Sequence, residues 1–157
     1  MGIQIQILVA DAYAAIEKGK ISEAIQILEK AITATPQNAD LYAYLGEAYF
    51  LNQEYIHAQE VFLKHESLSN HKTNTFTPYI TGYRGCILIA EGKIAEGQSL
   101  LEQAIQENAQ EPHFYYSLAK AYFLQNKQTI AYEFMGKIEQ LDPCFYYRKI
   151  QQLINQI

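Results

Sequence analysis

The sequence predicts an all-α fold, an α-solenoid of antiparallel helix-turn-helix units with about nine helices in 157 residues. The first observation is an internal repeat. The segment Leu41–Asn52 aligns with Phe114–Gln125, 73 residues later, which is two periods of 34 residues plus an insertion of five. The second is that Pro36 and Pro143, which each close a helical segment, lie 107 residues apart, or three such periods plus the same five. The third is that apolar residues recur at the three- and four-residue steps of one helix face.

The clearest repeat, residues 39–72, shows two such helices. Both helices carry one apolar face, and the residues of these faces are Tyr42, Leu45, Gly46 and Tyr49, then Ala58, Val61, Phe62 and His65. The small residues Gly46 and Ala58 would let the two helix axes approach closely enough for ridges to seat in grooves. Each repeat is therefore predicted to be a pair of amphipathic helices.

These residues resemble the tetratricopeptide repeat, a family of helix-turn-helix units with a period of 34 and a pattern of aromatic, Leu-Gly, Tyr, Ala, Phe, Ala and Pro positions. The resemblance covers nearly the whole chain and implies one domain wound as a right-handed superhelix. Its repeats would span residues 5–38, 39–72, 78–111 and 112–145, with an inserted loop at 73–77 and a capping helix at 146–157.

Turn-forming residues mark the connection between the two helices of each repeat. These residues are Gly19, Asn52, Gly92 and Asn126. Between repeats, Pro36 and Pro143 lack a backbone N–H and restrict the residue before them, so one helix ends and another starts there.

The third repeat departs most from the family pattern. Arg84 stands where Leu is usual, Thr81 where an aromatic residue is usual, and Gly97 where Ala is usual. The polar segment 70–77 before it contains the five-residue insertion, so we expect a longer loop there. Neutral variation and a partner contact are both open for this loop.

Apolar residues also recur at helical spacing after Pro143. They are Phe145, Ile150, Leu153, Ile154 and Ile157. Because the terminal unit of a repeat array needs a polar outer side or an extra helix, we expect a helix that caps the last repeat. The alternative is a docking helix, including one that forms a homodimer.

Charge and hydropathy exclude several classes of partner. The chain has 12 basic and 17 acidic residues, a net charge of −5, and no cluster of Lys and Arg that could neutralise phosphates, so we expect no nucleic-acid binding. No apolar run approaches the roughly 18 residues that cross a bilayer. The N-terminal segment does not fit a secretory signal. We therefore expect no membrane insertion and a cytoplasmic location.

No catalytic, cofactor or metal site is evident. His57 and His65 lie eight residues apart on one helix, too far to chelate one ion side by side. The segment Gly82–Gly85 lacks the further glycine and the Lys-Ser/Thr ending of a phosphate-binding loop. Cys86 and Cys144 do not form a Cys-x-x-Cys pair. We therefore expect a protein that is not an enzyme and needs no cofactor or metal.

The family resemblance implies that the first helix of every repeat lines a concave groove that binds a protein or peptide. The positions that point into the groove in the family correspond here to Tyr13, Tyr44, Glu47, Phe50, Tyr79, Tyr83, Cys86, His113, Tyr116, Lys120 and Phe123. Such a groove would be aromatic and lightly charged. It lacks the clamp of Lys, Asn and Arg with which some members hold the acidic tails of chaperones.

Three functions follow from this sequence. The first is a non-enzymatic adaptor or assembly scaffold that binds a peptide or partner-protein segment in the aromatic groove. The second is a small secretion or assembly chaperone for a hydrophobic subunit, because small acidic chains built from such repeats resemble those chaperones. The third is a structural protein that associates with itself through its C-terminal helix.

Overall fold

The computed structural model describes residues 2–69 and 75–155, except for the side chains at 150, 153 and 154. The secondary structure of these residues is helical throughout. The helices are α1 (Ile3–Glu17), α2 (Ile21–Ala34), α3 (Ala39–Leu51), α4 (Tyr55–Leu68), α5 (Thr77–Ala90), α6 (Ile94–Gln106), α7 (Pro112–Leu124), α8 (Gln128–Leu141) and α9 (Pro143–Ile154).

Two predicted boundaries differ from these helices. The C-terminal helix begins at Pro143 rather than at 146, because proline is well suited to the first position of a helix, where no backbone donor is needed. The predicted loop at 73–77 lies partly outside the described residues, at 73 and 74. Within the described part, residues 75 and 76 form a turn and α5 starts at Thr77.

A three-residue turn joins the helices within each pair α1–α2, α3–α4, α5–α6 and α7–α8. The middle residue of each turn has a positive φ. These residues are Gly19 (74°), Gln53 (63°), Gly92 (85°) and Asn126 (58°). The predicted turn former Asn52 is therefore wrong by one residue: Asn52 has φ −82° as the C-cap of α3, and Gln53 takes the left-handed conformation.

Each helix pair packs a small residue of the first helix against a large residue of the second. The pairs are Ala12 with Leu28, Gly46 with Phe62, Gly85 with Leu101, and Ala119 with Met135. A Cβ atom on Gly46 would overlap the Phe62 ring, and one on Gly85 would lie 2.8 Å from Cγ of Leu101. The small residue therefore sets how closely the two helices approach.

Helices α5 and α6 approach through backbone as well as side chains. A Cβ on Gly85 would lie 2.8 Å from the carbonyl oxygen of Gly97, and a Cβ on Gly97 would lie 2.6 Å from the carbonyl oxygen of Gly85. This mutual approach explains why glycine replaces the usual alanine at position 97.

The chain divides into two compact parts, residues 1–76 and 77–157, which we call the N-terminal half and the C-terminal half. In the N-terminal half, the hydroxyl of Tyr49 on α3 donates to Glu29 of α2 at 3.0 Å. In the C-terminal half, the hydroxyl of Tyr122 on α7 donates to Glu102 of α6 at 3.1 Å. Because these residues correspond in the repeat, each half joins its two helix pairs in the same way.

Replacing Gly85 or Gly97 by Ala should lower the free energy of unfolding by about 1–3 kcal/mol, because the added methyl group meets a backbone carbonyl that cannot rotate away. Urea denaturation measures the change. Gly136→Ala is the matched control, since a Cβ at Gly136 meets nothing within 4 Å. It should raise stability by roughly 0.5–1 kcal/mol through helix propensity. Equal stability of the three variants would contradict the close approach.

Gln53→Gly should raise the free energy of unfolding by about 1 kcal/mol, because glycine adopts positive φ without the steric cost of a side chain. Gly92→Ala, at the same turn position of α5–α6, should lower it by a similar amount. The control Gln53→Ala keeps the steric cost and should leave the urea midpoint almost unchanged. A Gln53→Gly variant less stable than the wild type would show that the turn does not hold this conformation.

Candidate protein-binding faces

The residues predicted to face a partner fall into two groups, one in each half of the chain. In the N-terminal half they come from α1 and α3, and we call Tyr13, Tyr44 and Glu47 the N-terminal face. In the C-terminal half they come from α5 and α7, and α9 adds residues to them. We call Tyr79, His113, Tyr116 and Lys120, with Phe145 and Lys149 of α9, the C-terminal face.

The N-terminal face is held by contacts between first helices. The hydroxyl of Tyr13 on α1 donates to Oε2 of Glu47 on α3 at 2.7 Å. The rings of Tyr13 and Tyr44 meet edge to face, with centroids 5.8 Å apart, and Tyr44 meets Phe76 in the same way at 5.1 Å. Burial, then the carboxylates of Asp40 and Glu47, raise the pKa of Tyr44, so its hydroxyl stays protonated.

Phe50 lies one turn beyond these rings on α3. Its ring packs against Tyr55 of α4, with centroids 5.9 Å apart. Phe50 is half-buried. The structure therefore brings Tyr13, Tyr44 and Glu47 together, while Phe50 also packs within its own helix pair.

Two predicted contact residues of α5 are buried, so their assignment to a partner surface is wrong in this structure. Tyr83 is 4% exposed and meets the ring of Phe114 edge to face at 5.2 Å. Cys86 is 3% exposed, and its thiol donates to the backbone carbonyl of His113 at 3.6 Å. Burial raises the pKa of the Cys86 thiol to about 12. The cause is Gly82, which has no Cβ and lets the Phe114 ring lie against α5.

His113 and Tyr116 of α7 are half-buried under the first turns of α9. The ring of His113 meets Phe145 edge to face at 4.5 Å, and Tyr116 meets the same ring at 6.2 Å. Nζ of Lys149 lies 5.7 Å from the centroid of the Tyr116 ring, a cation–π arrangement. Burial, then the charges of Lys149 and Arg148, lower the pKa of His113 to about 4.

The other predicted residues of the C-terminal half are partly accessible. Tyr79 is 38% exposed at the start of α5, and its ring centroid lies 6.4 Å from that of Phe114. Lys120 is half-buried one turn after Tyr116. Phe123 meets Tyr132 of α8 edge to face at 5.5 Å, so it packs within its own helix pair as Phe50 does.

Sequence reasoning missed that α9 behaves like the first helix of another repeat. The segment Pro112–Tyr116 opens α7 as Pro-x-Phe-Tyr-Tyr, and Pro143–Tyr147 opens α9 with the same pattern. Both phenylalanines of this pattern are buried, Phe114 at 0% and Phe145 at 7% exposure. This second match was the signal that could have placed Phe145 and Lys149 beside Tyr116.

Two family models match the sequence. A model described as a TPR repeat matches residues 12–53, and one described as a tetratricopeptide repeat matches residues 88–151. The chain is a tetratricopeptide repeat protein. The predicted family is thus confirmed. A search of curated proteins finds no significant match.

Solved structures of tetratricopeptide repeat proteins share the fold. MamA from Desulfovibrio magneticus RS-1 has a TM-score of 0.59 at 22% identity, over 91% of this chain and 78% of that one. PilF of Pseudomonas aeruginosa has a TM-score of 0.62 at 19% identity, over 88% and 61%. A tetratricopeptide repeat protein from Parabacteroides merdae has 0.55 at 18% identity, over 94% and 58%. The predicted all-α solenoid class is confirmed.

Tetratricopeptide repeats generally form non-enzymatic modules that bind proteins, and this chain is a protein-interaction module of that kind. Within the described ranges, no three His, Cys, Asp or Glu side chains are grouped so that they could hold a metal ion. His65 is buried, and its Nδ1 donates to the carbonyl of Ala39 at 2.9 Å. None of the described helices is both long and apolar enough to cross a membrane.

His113 should make the stability of the fold depend on pH. The pKa of His113 is about 4 in the folded protein, below the ordinary 6.5, so the unfolded chain takes up the proton first as pH falls. The contribution of His113 is complete above pH 6.5 and is lost between about 6.5 and 4, at up to roughly 1.4 kcal/mol per pH unit. Urea denaturation of wild type and His113→Gln between pH 7 and 4.5 should show a flatter slope for the variant.

The control is His57→Gln, at an exposed position on α4. This variant should keep the slope of the wild type. If His113→Gln and wild type lose stability in parallel as the pH falls, the folded protein does not hold His113 neutral.

Proposed function

We propose that this protein is an adaptor or assembly scaffold that binds an extended or helical segment of a partner protein on its first helices, with tyrosine rings as the main contacts. The observation that carries the proposal is the set of tyrosines on these helices: Tyr13, Tyr44, Tyr79 and Tyr116 are all partly exposed. Tyrosine combines a large apolar ring with a hydroxyl group, which suits it to central positions of interfaces.

The rings are ordered before any partner binds, which supports the proposal. Tyr44 lies between the rings of Tyr13 and Phe76, and Glu47 accepts the hydroxyl hydrogen of Tyr13. Tyr116 lies against Phe145 and Lys149. Because these side chains have already lost rotamer freedom, a partner that contacts them would lose less entropy on binding.

The competing surface is on the outer sides of the second helices. Large apolar side chains are exposed there, including Ile56 (76%), Leu63 (59%) and Tyr132 (60%). Single exposed apolar residues are common on protein surfaces and need no function. The ordered ring contacts of the first helices favour those faces over this surface. The predicted cytoplasmic location and the predicted homodimer through α9 belong to the same set of proposals.

The proposal predicts that Tyr44→Ala combined with Tyr116→Ala weakens binding of the natural partner at least about tenfold, because alanine removes two central aromatic contacts. The partner would be identified by affinity purification with mass spectrometry, and the dissociation constant measured by isothermal titration calorimetry. Circular dichroism would check that helical content is unchanged. Tyr83 is left intact, since it is buried and its loss would test folding instead.

The matched control is Leu63→Ala combined with Tyr132→Ala, which removes similar exposed area from the second helices. This pair should leave the dissociation constant within about twofold of the wild type, as expected for residues outside an interface. A loss in the control pair as large as that in the tyrosine pair would move the binding site to the second helices.

A further inference from the structure

The first helices of the two halves carry charges of opposite sign. In the N-terminal half, α1 and α3 contain four acidic residues and no Lys or Arg. In the C-terminal half, α5, α7 and α9 contain four basic residues and no Asp or Glu. The acidic set is Asp11, Glu17, Asp40 and Glu47, and the basic set is Arg84, Lys120, Arg148 and Lys149.

The second helices do not follow this division. In the C-terminal half, α6 carries Glu96 and Glu102, and α8 carries Glu133 and Glu139 with the single base Lys137. The positive sign therefore belongs to the first helices and not to the C-terminal half as a whole. Because it is confined to the helices that carry the partly exposed tyrosines, the pattern bears on what these faces bind.

On the N-terminal face the carboxylates lie beside the aromatic rings. Glu47 accepts the hydrogen bond from Tyr13, and both Asp40 and Glu47 act electrostatically on Tyr44. Ring faces attract cations through their quadrupole, and a neighbouring carboxylate adds a charge-assisted hydrogen bond. Together these groups suit a Lys or Arg side chain of a partner.

On the C-terminal face the cations lie beside the rings instead. Lys149 covers Tyr116 and Phe145 at 5.7 and 6.0 Å from their centroids, and Lys120 follows Tyr116 by one helical turn. The ion pairs seen in the described residues, Lys20–Glu23, His57–Glu54 and Lys93–Glu91, involve none of the bases of α7 and α9. Burial, then Arg148, lower the pKa of Lys149, so an anion placed beside both cations would be favoured.

We propose that the partner segment is itself divided by charge, with basic side chains that contact the N-terminal face, acidic side chains that contact the C-terminal face, and apolar residues that contact the tyrosines. This inference rests on the proposed function and adds the chemical class of the partner. Complementary charges of this kind select partners and fix the direction in which a segment binds.

Synthetic fluorescein-labelled peptides test the proposal with the full chain. Five peptides share the same apolar residues: two have a lysine block and a glutamate block in either order, one alternates the same charges, one has only lysine and one only glutamate. Fluorescence anisotropy at low salt should show that one block order binds roughly fivefold or more tighter than the alternating peptide. The difference should shrink in about 0.5 M salt, where exposed charges are screened.

Charge-neutralising variants assign each block to its face. Asp40→Asn with Glu47→Gln should weaken binding of the block peptide and the lysine peptide by roughly fivefold, without changing the glutamate peptide. Lys120→Gln with Lys149→Gln should do the reverse for the glutamate peptide. The controls neutralise the same charges on second helices: Glu60→Gln with Glu139→Gln, and Lys64→Gln with Lys137→Gln. These should leave all affinities unchanged.

Several results would overturn the inference. Equal binding of block and alternating peptides, no binding of any peptide, or control variants that weaken binding equally would each do so. If peptides bind equally and Tyr44→Ala with Tyr116→Ala abolishes their binding, the proposed function stands and the charge division fails. If sedimentation shows salt-sensitive dimers that both charge variants dissociate, the faces bind a second copy of this chain and not a partner segment.

Discussion

The close approach of the two helices in each pair is the constraint on which the rest of the structure depends. A small residue on the first helix faces a large one on the second, and the size is traded between them: Gly46 faces Phe62, where the equivalent pair is Ala119 and Met135. A three-residue turn with a left-handed middle residue keeps the pair together. Where both small residues are glycine, at Gly85 and Gly97, the helices meet backbone to backbone.

This packing also decides which side chains are left for a partner. Since the second helix covers one side of the first, and the neighbouring first helix contacts another, the residues one turn away gather into the faces described above. Tyr13 and Glu47 occupy the same position of successive repeats and form a hydrogen bond, so the repeat itself brings them together. In the C-terminal half α9 takes the place of a further first helix and adds Phe145 and Lys149.

The amino-acid sequence was sufficient to predict the helix pairs, because their apolar spacing is local. It was not sufficient for Tyr83 and Cys86, whose burial depends on how closely α7 lies on α5, a distance set by the contact of Gly82 with Phe114. Asn52 was chosen as a turn former because asparagine often has positive φ. One period after Gly19 falls on Gln53, and the fixed length of the turn outweighs residue preference there. The contribution of α9 was available in the recurring Pro-x-Phe-Tyr-Tyr pattern.

The central claim is that the first helices contact the partner through their tyrosines. Site-specific photo-crosslinking in the native host tests it most directly, with benzoylphenylalanine placed at Tyr44, Tyr116 or Tyr132 in the full chain. The account predicts a crosslink to the same partner protein from positions 44 and 116 and none from the exposed position 132 on α8. Crosslinks from position 132 alone would contradict it.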